Sequence, residues 1–168
     1  SGLFERSISV FGFSKAYGIP GFRVAYIVCH GTHMQELKKR LHGIIVHTDT
    51  LAQAAAKAAL SNCNAWLVTF MAHLKKMRDY GIERLLRIPG VRCHVPQATP
   101  FLFPNIASFG MTSEEMSAYL EKEARVIVQN GAAYGPPGEG YIRINVATAH
   151  SVLKEAFDRI QTALMKLG

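Results

Sequence analysis

The chain has 168 residues, of which 49% are hydrophobic and 18% charged, a composition that suits a folded globular protein and excludes a disordered one. Its 19 Lys and Arg against 12 Asp and Glu leave a net charge of +7, a balance that favours anionic small ligands. The longest apolar stretch, around Ala65 to Ala72, is too short to cross a bilayer, the first residues lack a signal-peptide profile, and the scattered Cys29, Cys63 and Cys93 do not form a disulfide framework, so a cytoplasmic protein is expected.

Ser1 to Arg6 reads as a cut edge that enters a strand at once. Ile8 to Phe13 is rich in β-branched and aromatic residues and predicts a buried strand, with Lys15 just past its end. A loop punctuated by Gly18, Pro20 and Gly21 follows, and Phe22 to Cys29 predicts a second, central strand. His30-Gly31-Thr32 starts a helix through about Leu41, with Met34, Leu37 and Leu41 on one side. Thr48-Asp49-Thr50 offers an N-cap for an alanine-rich helix over Leu51 to Leu60. Asn62 or Asn64 caps the longest helix, Ala65 towards Leu86, whose Trp66, Phe70, Leu74 and Met77 form a core stripe, while Gly81 is a point where it bends or breaks. Lys38-Lys39-Arg40 and Lys75-Lys76-Met77-Arg78 lie within these helices, so they read as solvated faces and not as a nucleic-acid surface.

Pro89-Gly90 turns the chain into a short strand over Val91 to Val95, and Pro96 leads to another at Phe101-Leu102-Phe103. Thr112-Ser113-Glu114-Glu115 has the spacing of a capping box and predicts a helix from Ser113 to about Ala124. Val126-Ile127-Val128 reads as a strand, Gly131 to Gly140 as a loop dense in glycine and proline, and Tyr141 to Val146 as an alternating strand. The last helix, His150 to Leu167, places Leu153, Phe157, Ile160, Leu164 and Leu167 on one face. Helices and strands alternate in an α/β fashion without internal repeats.

The chemistry concentrates at Ser14-Lys15 and Arg23. An amine close to a second cation, and partly buried, loses its proton more readily and becomes able to attack a carbonyl. A guanidinium is the suited partner for a phosphate, because its planar fork makes paired, charge-assisted hydrogen bonds. Lysine, serine and arginine along a glycine-rich turn therefore point to a ligand that carries both an aldehyde and a phosphate. Gly12-Phe13-Ser14-Lys15, then Gly18-Ile19, then Gly21-Phe22-Arg23-Val24-Ala25 resembles the cofactor-lysine signature of class I/II aminotransferases, pyridoxal-phosphate enzymes of fold type I. The resemblance implies that Lys15 forms the internal Schiff base and that Ser14 and Arg23 bind the cofactor phosphate. Gly12 departs from the serine found in many relatives, which removes one phosphate hydrogen bond or passes it to a main-chain N–H.

Near the other end, Gly138-Glu139-Gly140-Tyr141-Ile142-Arg143-Ile144-Asn145-Val146-Ala147 resembles the same family's carboxy-terminal motif. There an arginine midway along an apolar strand, costly to bury without an anion, meets the substrate α-carboxylate, and the resemblance gives that role to Arg143. The implied fold is α/β, the second part of a fold type I enzyme. Residues 1–64 would be the carboxy-terminal part of the large cofactor-binding domain, 65–88 the long linking helix and 89–168 the small α/β domain. The implied function is transfer of an amino group between an amino acid and a 2-oxo acid, in a homodimer when full length.

Family members are much longer, and the half absent here carries the aspartate that pairs with the cofactor ring nitrogen. Little or no transaminase activity is therefore expected of this chain alone. A carbon–sulfur lyase on the same fold and a non-catalytic binding or assembly module are the alternatives. No metal is expected: Cys29-His30, His33 and the distant Cys93-His94 lack any C-x-x-C pairing. The glycines around Gly138 are not a dinucleotide fingerprint, because a strand follows them where a helix should.

Overall fold

The structure, a computed structural model, describes residues 2–44 and 47–167. It divides into two compact units, Ser1–Thr69 and Phe70–Gly168, whose boundary falls inside one continuous helix.

In the first unit, Phe4–Arg6 make a 3-10 turn, and a two-stranded antiparallel hairpin follows, β1 (Ile8–Gly12) with β2 (Ala25–Cys29). Between the strands lie a single helical turn, α1 (Phe13–Ala16), and a 3-10 turn over Pro20–Phe22. The strands are β as their composition predicts, but neither is buried or central. Ile8, Val10 and Val28 are 48%, 65% and 43% exposed. The reason is topological: among the described residues the hairpin pairs only with itself, so no third strand flanks it. Phe22 also falls outside the second strand, in the 3-10 turn.

Three helices complete the unit and lead out of it: α2 (Gly31–Leu41), α3 (Thr50–Asn62) and α4 (Asn64–Leu86). Asp49 caps α3 as its position predicts, its Oδ1 accepting from the Ala52 N–H at 2.9 Å. The apolar stripe of α4 enters a core only in its second half, where Met77, Gly81, Ile82 and Leu85 are buried, whereas Trp66 is 46% exposed. Gly81 does not interrupt the helix, which runs through it to Leu86. It is there for space: a Cβ would stand 2.7 Å from Leu102 Cδ1 and 3.2 Å from the Phe157 ring.

The second unit is built on a small antiparallel sheet in the order β3-β5-β4, formed by β3 (Phe101–Leu102), β4 (Gln129–Asn130) and β5 (Ile142–Asn145). Phe101 pairs with Asn145, and Gln129 with Arg143. Two expected strands are not ladders. Val91 to Val95 contributes one isolated bridge, Arg92 to Asn105, and Val126 to Val128 forms no ladder, the pairing beginning only at Gln129. The Gly131 to Gly140 segment is two short 3-10 turns, Gly131–Tyr134 and Pro136–Gly138.

Helix α5 (Ser113–Tyr119) starts with the predicted capping box between Thr112 and Glu115. It then widens into a π-turn over Leu120–Ala124, which Arg125 ends in the left-handed region at φ 55°. The last helix, α6 (His150–Leu164), stops short of Leu167. Its Leu153, Phe157, Ile160 and Leu164 are at most 2% exposed and meet Leu102, Met116 and Ile142 in the core, where each such side chain contributes about 2 kcal/mol. β5 thus has one buried face, Ile142 and Ile144, and one open face, Arg143 and Asn145.

Candidate active site

Residues with carbonyl and phosphate chemistry sit where the hairpin register puts them. Gly12 pairs with Ala25, so the chain leaves β1 towards Lys15 at the same end at which it enters β2 from Arg23. Phe13 anchors this end: it is 2% exposed, its ring lies 5.6 Å from that of Tyr26 and 5.8 Å from that of Tyr17, and its N–H donates to the Val24 carbonyl at 3.5 Å. Phe13, Ala16 and Tyr17, at helical i, i+3 and i+4 spacing, line an apolar cleft of about 340 Å³ with Tyr26 and Leu60. Ser14 and Lys15 therefore occupy the part of α1 turned away from that cleft, with Ser14 half-buried and Lys15 exposed.

The turn after α1 uses two left-handed residues. Gly18 sits at φ 67°, where glycine is unstrained. Arg23 sits at φ 48°, an uncommon place for a residue with a Cβ, and its Nη1 donates to the Pro20 carbonyl at 3.3 Å across the 3-10 turn. The exposed guanidinium is thus tethered at one nitrogen and its other donors remain for a ligand. An amine, a hydroxyl and a guanidinium at one hairpin end match in kind the aldehyde and phosphate of pyridoxal phosphate. The acidic side chains of this unit, Glu5, Glu36 and Asp49, lie elsewhere in sequence, and Asp49 is committed to the α3 cap.

Arg143 lies in the second unit, on the open face of β5, half-buried. Its Cζ stands 4.2 Å from the Phe101 ring centroid and 4.6 Å from that of Tyr134, and its Nη2 donates to Gln129 Oε1. Tyr134 donates its hydroxyl to that same oxygen at 2.8 Å. Among the described residues no carboxylate forms an ion pair with Arg143. Sequence reasoning singled out Arg143. It missed Gln129, whose only signal is its cross-strand place opposite Arg143, and that register is not local.

Among the described residues no three His, Cys, Asp or Glu side chains gather where they would hold a metal ion. Cys29, Cys63 and Cys93 are free thiols, and burial pushes the Cys93 thiol above its ordinary value. No helix of the described residues is long and apolar enough to cross a membrane.

The family model of class I and II aminotransferases matches residues 5–160. An aspartate aminotransferase of Pyrococcus horikoshii is 33% identical over 162 residues, which cover 95% of this chain and 41% of that protein. The crystal structure of an aromatic aminotransferase from Pyrococcus horikoshii is similar over 100% of this chain and 46% of its own, with a TM-score of 0.87 and 33% identity. A PLP-bound protein of Clostridium difficile is similar over 94% of this chain and 41% of its own, with a TM-score of 0.86 and 26% identity. The chain thus spans about two fifths of the length of the curated relatives it matches. With the lysine and arginine motifs both inside the matched span, the chain belongs to the class I and II aminotransferases, a pyridoxal-phosphate-dependent family of α/β proteins of fold type I.

Proposed function

We propose that this chain supplies the lysine and both arginines of a pyridoxal-phosphate-dependent aminotransferase, and that it corresponds to the carboxy-terminal portion of such an enzyme. The observation that carries the reading is the pairing of Gly12 with Ala25, which brings Ser14, Lys15 and Arg23 to one end of one hairpin. In this reading Arg23 and the Ser14 hydroxyl hold the cofactor phosphate, and Lys15 is the residue that carries the cofactor. Pyridoxal phosphate, when bound, supplies a carbonyl for the amino group and a ring that stores the electron pair left at the substrate α-carbon. Lys15 Nζ moves the proton at that α-carbon, acting as general base and then as general acid. Arg143 binds the α-carboxylate in a bidentate grip, which fixes the direction of the α C–H bond and with it the reaction type.

Residues 1–64 then belong to the large cofactor domain, 65–88 to the connecting helix and 89–168 to the small domain. The whole enzyme acts in the cytoplasm as a homodimer on an amino acid and a 2-oxo acid. Because the ring-nitrogen aspartate is not assigned in this chain, the chain by itself has little or no turnover.

The test is chemical. Pyridoxal phosphate is added at near-stoichiometric concentration, reduced with borohydride, and the pyridoxyl group is mapped by peptide mass. The expected label is on Lys15, and it falls sharply in Arg23→Ala. Labelling spread evenly over the exposed lysines, with no dependence on Arg23, overturns the reading.

A further inference from the structure

The Arg143 side chain is held in an unusual way for a cation on an open sheet face. A guanidinium that must receive a carboxylate has two opposed requirements. It has to be fixed, since its long stem otherwise loses about 2 kcal/mol of rotamer entropy on binding. It also has to stay undischarged, because a permanent carboxylate neighbour competes with the ligand for the same donors. Here the cross-strand position opposite Arg143 carries a neutral isostere of glutamate, Gln129, whose Oε1 accepts from Arg143 Nη2. That oxygen is itself pinned by the Tyr134 hydroxyl at 2.8 Å. The Phe101 and Tyr134 rings, 4.2 Å and 4.6 Å from Arg143 Cζ, restrain the guanidinium through its π-face without using any of its N–H groups. Three residues thus fix the guanidinium and consume one donor, with no negative charge spent.

We propose that Gln129 is the positioning residue for Arg143: a neutral acceptor, locked by Tyr134, that orients the guanidinium for a ligand carboxylate without neutralising it. The charge state of the side chain at position 129 sets carboxylate affinity. The inference rests on the reading of Arg143 as the α-carboxylate site, and the experiment separates the two.

The experiment uses the full-length holoenzyme with ¹⁵N-arginine labelling, and acetate as the probe, followed through the Arg143 Nε–H resonance. Gln129→Met keeps the bulk and removes the acceptor, and is expected to weaken acetate about fivefold, the worth of one lost hydrogen bond. Gln129→Glu keeps the shape and adds a charge that pairs with Arg143, and is expected to weaken acetate by tenfold or more, with KM for the amino acid rising in parallel while kcat stays within about twofold. Tyr134→Phe, which leaves the ring and frees the Gln129 oxygen, is expected to fall between wild type and Gln129→Met. Acetate affinity in Gln129→Glu that equals that of wild type, or that drops no further than in Gln129→Met, overturns the positioning role alone. Acetate affinity unchanged by Arg143→Ala overturns the carboxylate site and the positioning role together. A purely structural role for Gln129 would change melting temperature in all variants but would not order acetate affinity by charge.

Discussion

Gly131 and Gly138 face one another so closely that a Cβ on Gly138 would stand 2.1 Å from the Gly131 carbonyl oxygen, and one on Gly131 would stand 2.4 Å from the Gly138 oxygen. Both obstacles are backbone atoms, so a side chain at either place has to move the main chain of the facing turn and not a rotamer. This contact closes the loop that places Tyr134 and leads into β5, which makes it a condition for the Arg143 arrangement. Gly138→Ala is expected to destabilise the protein by about 3 kcal/mol, at the upper end of overpacking costs. A urea unfolding midpoint within error of wild type would show that the loop yields more easily than its geometry indicates.

Local signals made much of this chain legible. Asp49 and Thr112-Glu115 mark helix starts because their side chains answer N–H groups only three residues away, and both caps are present. The α6 stripe is legible for the same reason, since Leu153, Phe157, Ile160 and Leu164 repeat at helical spacing against one core. Non-local facts were not legible. Val126-Ile127-Val128 has strand composition, yet Ile127 is 81% exposed and the ladder starts at Gln129, because pairing is decided by where β5 lies and not by β-propensity. Trp66 has the spacing of a core residue, but burial needs a neighbouring layer. At the candidate site Lys15, Arg23 and Arg143 stood out as types within motifs, whereas Gln129 is an ordinary glutamine until its cross-strand partner is known.

Ser113 ties the same loop to the start of α5. It is fully buried, its hydroxyl accepts from the Gly140 N–H at 2.8 Å and from the Tyr141 N–H at 3.2 Å, and it donates to the Gly138 carbonyl at 3.3 Å. The Tyr141 N–H also donates to the Gly138 carbonyl at 3.2 Å, so Ser113→Ala leaves the buried Gly140 N–H without its acceptor and is expected to cost about 1–3 kcal/mol. The urea midpoint should fall with the slope unchanged, since the exposed area on unfolding is the same. Loss of less than about 0.5 kcal/mol would mean that the Gly140 amide finds another acceptor.

Acid should weaken the second unit through carboxylates that are better solvated by the fold than by water. The Thr112 backbone N–H, at 2.8 Å, and the Thr112 hydroxyl hold the Glu115 carboxyl below its ordinary value. Lys154 at 2.7 Å, with Arg84, does the same for Asp158. A group whose value is lower folded than unfolded contributes stability that is complete above the unfolded value and is lost as pH falls through the folded one. Melting temperature is therefore expected to hold between pH 7 and about 5 and to decline below that, where the unfolded carboxyls start to take up protons. Glu115→Gln keeps an acceptor for Thr112 but cannot titrate, so its decline between about pH 5 and 3 should be shallower than that of wild type. Parallel declines in the two proteins would remove Glu115 from the account.

Thr99 is the one β-branched residue among the described residues with a positive φ, at 72°. Its Cβ crowds the backbone there, at a cost of about 1–3 kcal/mol. The flanking contacts hold it in place: Arg78 Nη1 donates to the Pro96 carbonyl at 3.2 Å, and the Val146 N–H donates to the Pro100 carbonyl at 2.9 Å. Phe101, beside Arg143, follows directly. Thr99→Gly removes the strain and adds unfolded-state freedom worth about 0.5–1 kcal/mol, so the strain term wins by a small margin. The expected outcome is a net gain near 1 kcal/mol and a melting temperature about 3 °C higher. Thr99→Asn, which tolerates this region without the extra freedom of glycine, should gain as well, by a similar amount. A loss of stability in both variants would mean that the Thr99 side chain contributes more through its contacts than its backbone geometry costs.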